Sequence, residues 1–295
     1  MQSKICLICK RTKFTQKSKT VRDSKNHQIL MCKSCGHIQI HPIPTLTEEK
    51  KFYDDNKQEK NLNIKYSIDE IKKKSMSDTN RRVKFVSKLV KKNEKILEIG
   101  SGYGLFLEGM KKRGQNVIGI EISKEKREIA KKITKAQILD INILEKKIKI
   151  SKVDVIVLFH VLEHISEPVK FLKNLRNILK MNGRIIVEVP NHNDHQLQLN
   201  KKYREFYWQR AHIHYFTPKI FQKVLEESGF STEVKGIQRY SIENFFNWKL
   251  IGKPQLDNPI FCLPEKHEWM DLYYKDKLEK SLKCDTIIAV GIKNN

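Results

Sequence analysis

The sequence predicts an α/β protein: a mostly parallel sheet covered by helices on both faces, with a small cysteine-rich module ahead of it. Three observations carry this. Residues 96–104 read Ile96-Leu97-Glu98-Ile99-Gly100-Ser101-Gly102-Tyr103-Gly104, and an apolar run that stops at glycine is the pattern of a buried parallel strand entering a tight turn. From there to Pro190, strand-like apolar runs alternate with amphipathic helical stretches, which builds a parallel sheet covered on both faces. Ahead of it, Cys6-Leu7-Ile8-Cys9 and Cys32-Lys33-Ser34-Cys35 form two C-x-x-C pairs.

Length and composition bound the rest. The chain has 295 residues, of which 39% are hydrophobic, enough for one large domain with a real core plus a small one. No run reaches the roughly 18 apolar residues of a membrane span. No apolar stretch follows Met1, so no secretory signal is visible and a cytoplasmic location is expected. The formal net charge is +24. That suggests anionic partners: RNA, phosphorylated sugars, nucleotides or an anionic membrane surface. A lysine-rich composition without functional meaning is the alternative, since lysines are scattered along the whole chain.

Residues 1–45 form the first module. Four of the six cysteines sit in the two pairs, and without an export signal this favours metal over disulfides. Two-residue spacing lets both thiolates of a pair reach one tetrahedral ion. With Cys6, Cys9, Cys32 and Cys35 as ligands the site is closed, so structural zinc is expected. A module this small needs the metal's binding energy to fold. His37 and His41 are nearby substitutes; a redox dithiol is the other reading. Residues 46–80 are charged and read as a helical linker or lid, with Tyr53 and Tyr66 as candidates to cover a ligand. Residues 81–90 place Val83, Val86, Leu89 and Val90 at helical spacing against the sheet.

The first strand ends at the glycine turn, and Leu105, Phe106, Leu107 and Met110 start a helix there. Residues 117–121 are the second strand, ending in Glu121; residues 124–133 are the second helix. Residues 136–141 are a third strand, reaching Asp140 and Ile141. Residues 153–160 are an apolar central strand ending in Phe159-His160, followed by Val161-Leu162-Glu163-His164-Ile165. Residues 169–179 are a helix, Asn182-Gly183 turns the chain, and residues 184–189 are the fifth strand. Thr217-Pro218 starts a helix that stops at Gly229. Residues 233–237 and 286–292 are the last strands. Residues 240–283 between them are an aromatic-rich insertion, read as an acceptor lid, a dimer contact or ordinary packing.

The glycine turn indicates the ligand. A dinucleotide site typically reads G-x-G-x-x-G, whereas this chain has Glu98-x-Gly100-x-Gly102-x-Gly104. No Lys-Ser/Thr follows, which excludes a P-loop. Glu98 repels phosphate and suits a ligand with a positive ammonium group. Glu121, about twenty residues on, suits ribose hydroxyls. A ligand with ribose, adenine and a cationic tail is S-adenosylmethionine. At these residues the chain resembles the class I S-adenosylmethionine-dependent methyltransferases, with a Rossmann-like parallel sheet and an antiparallel edge pair. The resemblance implies cofactor contacts at Glu98, Gly100, Gly102, Gly104, Glu121, Asp140, Ile141 and Phe159, with Asp140 at the adenine amino group. It is strongest over residues 80–235, and the methyltransferase domain is expected over 81–295.

Residues 153–191 are similar to many bacterial small-molecule methyltransferases. The acceptor must lie beyond the carboxyl ends of the central strands, where His160 and His164 stand. His is the natural base near neutral pH, and a metal site of His160, Glu163 and His164 is a minor alternative. Ala211-His212-Ile213-His214-Tyr215-Phe216-Thr217 resembles the Glu-His-x-x-Tyr-Phe-Ser motif of zinc-ribbon sugar C-methyltransferases. Ala211 stands where that motif has Glu, which moves the reading from carbon to oxygen or nitrogen, where His160 or His212 suffices as base. The expected function is methyl transfer to a small molecule, an anionic sugar or nucleotide-linked glycan precursor. The alternative is an rRNA or tRNA base methyltransferase, since bacterial ribosomal RNA guanine methyltransferases also carry an amino-terminal zinc module. Against it, no Asn-Pro-Pro-Tyr-like motif follows the fourth strand. A third reading is a non-catalytic zinc-ribbon binding protein, which the intact glycine turn disfavours.

Overall fold

The structure is a computed structural model that describes residues 4–45, 47–48, 67–142, 150–255 and 261–293. The expected lid residues Tyr53 and Tyr66 lie outside them. Three short strands come first: β1 (Phe14–Ser18), β2 (Gln28–Cys32) and β3 (Ile38–His41). Helix α1 (Ile68–Ser87) follows, started by a reciprocal cap between Ser67 and Glu70 that satisfies backbone donors at the helix entry. It runs across the boundary near residue 80 suggested by composition, and buries Val83 and Val86.

The alternating stretch forms as expected: β4 (Lys95–Ile99), α2 (Leu105–Lys111), β5 (Asn116–Ile120), α3 (Lys124–Thr134), β6 (Gln137–Leu139), β7 (Val153–Phe159), α4 (Pro168–Ile178) and β8 (Leu179–Pro190). Two short helices, α5 (Gln196–Leu199) and α6 (Lys201–Tyr207), lead to β9 (His214–Tyr215). Next come α7 (Pro218–Glu227), β10 (Phe230–Ile237), α8 (Ile242–Ile251), α9 (Glu268–Lys280) and β11 (Thr286–Lys293).

One seven-stranded sheet runs β10-β11-β8-β7-β4-β5-β6. Its pairs are parallel from β8 to β6, while β11 is antiparallel to both β8 and β10. Chain order reverses between β4 and β7, and that switch point opens a crevice at the carboxyl ends of both strands. Side chains alternate across the sheet. Leu97, Ile99, Ile156 and Leu158 join Phe171, Leu172, Leu175 and Phe221 on one face. Ile96, Val155 and Val157 join Val83, Val86, Phe106, Met110 and Ala130 on the other. Each such buried side chain contributes about 1.5–3 kcal/mol over exposure, so β4 and β7 are apolar apart from Lys95, Glu98 and Asp154.

Two expectations change. Asn182-Gly183 does not turn the chain into a new strand. β8 starts at Leu179 and runs through it, with Val153 opposite Leu179 and Val155 opposite Arg184. The surplus residues bulge, and Asn182 takes a φ of 57° there, a conformation Asn tolerates. The third strand is also shorter than 136–141, leaving Asp140 and Ile141 in the loop beyond it. In the insertion, Trp248 is buried edge-on to Tyr203, whereas α9 buries no residue and exposes Trp269, Leu272 and Tyr273. No helix among the described residues is long and apolar enough to cross a membrane.

The second sheet has the order β1-β2-β3-β9. Its fourth strand comes from the histidine-rich loop of the large domain: Ile38 lies opposite Tyr215 and Gln39 opposite His214. Ile29, Ile38 and Ile40 share one apolar cluster with Trp208, Ile213 and Tyr215.

Candidate active site

The glycine turn follows β4 directly. Gly100, Gly102 and Gly104 have φ of 70°, 53° and 78°, a region other residues reach only with strain. The N–H groups of Gly100 and Ser101 donate to the Ile120 carbonyl at 2.8 and 3.0 Å. Glu121 secures the turn from the end of β5, accepting from the Gly102 N–H at 2.7 Å and the Ser123 N–H at 2.8 Å. A Cβ at Gly104 would stand 2.9 Å from both Ala130 and Thr134 side chains, so the turn closes against α3.

Glu98 and Ser101 each keep a buried oxygen without a hydrogen-bond partner. Buried polar groups are normally paired, so these two mark a place a ligand would complete. Burial pushes the Glu98 carboxyl well above its ordinary range; Arg82 pulls the other way and Glu121 adds to the rise. Phe159 packs edge-on to Phe106 at 5.0 Å and under the Arg82 guanidinium at 4.7 Å. Ile141 packs against the core. Asp140 accepts from Arg127 at 2.8 Å, and its side chain is 66% exposed. Glu98, the three glycines, Glu121 and Phe159 thus surround the switch point, while Asp140 is turned to Arg127.

The other side of the crevice is built on the turn after β7. His160 leaves the strand with a φ of 56°, a left-handed conformation that ends the strand. Its Nδ1 lies 3.4 Å from Glu163 and its Nε2 3.2 Å from Glu188. Burial lowers its pKa, but the two carboxylates more than offset that and the net shift is upward. Glu188, fully buried in β8, also accepts from Arg81 at 2.8 Å and Arg82 at 2.6 Å. Arg239 reaches the same place, 3.3 Å from the His160 Nε2 and paired with Asp78.

Glu163 lies at the centre of the histidines. Its carboxylate is 1% exposed, with His160, His164 and His212 nitrogens at 3.4, 3.8 and 4.0 Å. Neither oxygen has a partner at hydrogen-bond geometry. Burial raises its pKa, the three histidines outweigh that, and it falls to about 2. His212 is pushed down to about 3, mainly by burial. The structure therefore brings together His160 and His212, both singled out in the sequence, across a carboxylate. The cradle touches this group: a Cβ on Gly100 would lie 2.8 Å from Val161, which sits between His160 and Glu163.

The four cysteine sulfurs converge. Cys6 and Cys35 are 3.7 Å apart, Cys9 and Cys32 3.5 Å, and all four lie within 4.8 Å. Thiolates about 2.3 Å from a tetrahedral ion stand close to 3.8 Å apart, so the residues fit zinc. His37 is not among them. Its Nδ1 lies 3.6 Å from the Cys6 sulfur and its Nε2 2.9 Å from His214. His214 donates from Nε2 to the Ile165 carbonyl at 2.8 Å. A buried line of contacts thus runs from the cysteine cluster to the turn that carries Glu163 and His164.

Sequence reasoning missed Glu188, Arg81, Arg82, Arg239 and the central place of Glu163. One signal was available: Glu188 interrupts an apolar central strand, and a charge there is paired or functional.

Residues 72–233 match the methyltransferase-domain family. Among curated proteins, a ubiquinone biosynthesis O-methyltransferase of Coxiella burnetii is 29% identical over 118 residues, 38% of this chain and 50% of that protein. A protein of the same name from Pelagibacter ubique is 35% identical over 108 residues, 34% of this chain and 43% of that one. The chain spans about half the length of the curated relatives it matches. Among solved structures, a SAM-dependent methyltransferase from Archaeoglobus fulgidus superposes with a TM-score of 0.51 at 19% identity, covering 72% of this chain and 92% of that one. Magnesium protoporphyrin IX methyltransferase from Synechocystis PCC 6803, with bound SAH, gives 0.54 at 12% identity, covering 85% and 100%. At those identities the likeness concerns the fold.

Proposed function

Because the chain belongs to the methyltransferase-domain family and is an S-adenosylmethionine-dependent methyltransferase, we propose that it methylates a hydroxyl oxygen of a small molecule. The observation that carries this is the group formed by His160 and Glu163 just after β7 and by His212 from the loop before β9, in contact range of the glycine turn through Val161. S-adenosylmethionine supplies an already activated methyl group when bound. The chain's work is then to orient the acceptor and take its proton.

In this reading Glu98, Gly100, Gly102, Gly104, Glu121, Ile141 and Phe159 hold the cofactor. Glu98 faces its ammonium group, and Arg127 takes Asp140's carboxylate unless the ligand releases it. His160 accepts the hydroxyl proton, and Glu163 and Glu188 hold the imidazolium that forms. His212 lines the acceptor side. Oxygen is the favoured atom for two reasons. Ala211 leaves no carboxylate in the loop to draw a proton from carbon, and the curated relatives are named O-methyltransferases. Cys6, Cys9, Cys32 and Cys35 would hold zinc, which would supply folding energy to the amino-terminal ribbon, whose β3 pairs with β9 in the acceptor loop.

A nucleotide-linked sugar is the first acceptor to test, because the His212-Tyr215-Phe216-Thr217 loop is similar to that of zinc-ribbon sugar methyltransferases. Transfer of labelled methyl from S-adenosylmethionine should be measured with sugar nucleotides, phenolic and diol acceptors, and bulk RNA. Incorporation as an acid-stable ether in a small molecule is expected. Incorporation into RNA alone, with binding that weakens steeply as salt rises, would overturn the proposal.

A further inference from the structure

We infer that helix α9 is the surface through which two copies of this chain pair, packed antiparallel with Trp269, Leu272 and Tyr273 at the centre. The inner face of α9 is accounted for. Asp271 accepts from the Ile242 N–H at 2.7 Å, and Glu279 accepts from the Gln238 N–H at 2.8 Å. The Tyr274 hydroxyl lies 3.2 Å from His195 Nε2, and Leu278 packs against the main core. The outer face has no such cover. Trp269, Leu272 and Tyr273 are 61%, 63% and 61% exposed, and at spacings of three and four they form one stripe. A helix with apolar residues on both sides is normally covered on both. Two aromatic rings beside a leucine also make a larger contiguous patch than scattered surface residues do.

The charges indicate what covers the stripe. The chain carries a formal +24, so two copies repel each other over most of their surface. Residues 265–280 depart from that, with five acids against four lysines. They are also polarised along the helix. Glu265 and Glu268 are exposed at the amino end, beside Lys266, while Lys277 and Lys280 are exposed at the carboxyl end, beside Asp276. Among the described residues, α9 forms the ion pairs Asp271–Lys275 and Asp276–Lys280 within its own chain, which leaves Glu265, Glu268 and Lys277 for a partner. Antiparallel packing about a twofold axis sets the acidic end of each helix on the basic end of the other, twice over. It also sets the two helix dipoles in opposition. A parallel pair would bring like ends together.

Two other occupants fit less well. The stripe lies on the side of α9 opposite the contact with His195, so it does not close over the crevice as a lid. An anionic bilayer attracts clustered lysines, whereas this rim also carries Glu265, Glu268 and Asp276. Pairing has a consequence inside each copy. The His195 ring stacks on Phe245 at 5.4 Å as well as meeting Tyr274. A partner that holds α9 therefore also steadies the segment after β8, on the acceptor side of the crevice. The dimer forms whatever the acceptor is.

The test is sedimentation velocity on the full, zinc-loaded chain from micromolar to submillimolar concentration. A reversible monomer–dimer equilibrium is expected, with a Kd on the order of 10 µM, because one helix pair is at the small end of specific interfaces. Leu272→Lys should leave a monomer at every concentration, with S-adenosylmethionine affinity unchanged. Lys277→Glu combined with Lys280→Glu should weaken the dimer about tenfold. Adding Glu265→Lys and Glu268→Lys to that variant should return the Kd to within about threefold of the starting value, since the two ends have then exchanged sign. A wild-type chain that stays monomeric would overturn the inference, and so would a dimer that survives Leu272→Lys. Failure of the fourfold exchange to restore pairing would overturn the antiparallel arrangement. Phosphatidylglycerol vesicles should not bind the chain through this face. Vesicle binding that Leu272→Lys abolishes, in a chain that does not dimerise, would assign α9 to a lipid surface instead.

Discussion

The glycine turn and the histidine cluster, proposed above as donor cradle and acceptor wall, lie at the ends of neighbouring strands and are built on opposite plans. The frame of the cradle lies within one stretch, residues 98–123, shaped largely by backbone: three left-handed glycines and N–H groups tied to Ile120 and Glu121, with only Ile141 and Phe159 added from elsewhere. The wall draws His160, Glu163 and His164 from one turn, Glu188 from β8, His212 from a later loop, Arg81 and Arg82 from α1 and Arg239 from beyond β10. It is braced from outside by the cysteine module through β3 and β9. A backbone site of this kind needs little but its own turn, whereas a side-chain site depends on every segment that supplies it.

That contrast is open to attack at several points. The largest effect is expected from Cys32→Ser. If the ribbon holds the acceptor loop through β9, acceptor turnover should fall by roughly two orders of magnitude as the loop loses its register. S-adenosylmethionine affinity, measured by calorimetry, should stay within about a factor of two. Equal loss of both would erase the distinction, and normal turnover would dismiss the folding role of the metal. His212→Ala should lower turnover about 10–100-fold with the cofactor Kd unchanged. Loss of cofactor binding there would move His212 to the other side of the crevice.

Gly100→Ala tests the boundary itself. The new Cβ meets Val161 at 2.8 Å in a left-handed backbone, a strain of about 1–2 kcal/mol. Cofactor affinity and turnover should therefore both fall, by about tenfold each; a change in only one would separate the two regions further. The smallest effect concerns pH. Burial raises the Glu98 pKa, so between the ordinary carboxylate range and that raised value the empty site holds a proton that a bound ammonium group displaces. Cofactor affinity should rise with pH across this window, while the stability of the empty protein falls over it. Glu98→Gln should flatten both trends, and an unchanged pH profile would assign the titration elsewhere.

The same contrast explains what could be read from the chain alone. Glycine spacing and apolar runs are local, so the tight turn after β4 and the parallel sheet were legible in the sequence, while the antiparallel edge came only with the family resemblance. Cys6, Cys9, Cys32 and Cys35 were legible as a cluster because thiol pairs at fixed spacing have few other uses. Glu163 was legible only as a minor metal-ligand candidate beside His160 and His164, because His212 comes near it only where the loop at 209–213 docks. Arg127, in the helix before Asp140, donates to its carboxylate at 2.8 Å, a contact that no local pattern announces. Asn182-Gly183 carries a strong turn signal, and only the longer pairing of β7 with β8 shows it absorbed as a bulge.

The pairing of β3 with residues 214–215 also bears on how the chain is made. Ile38–His41 leaves the ribosome long before its partner strand exists, so for most of synthesis the ribbon has an unpaired apolar edge. Unpaired edges recruit strands from other molecules. Chains released before residue 214 are therefore expected to clump through that edge, and solubility in the cell is tied to finishing translation.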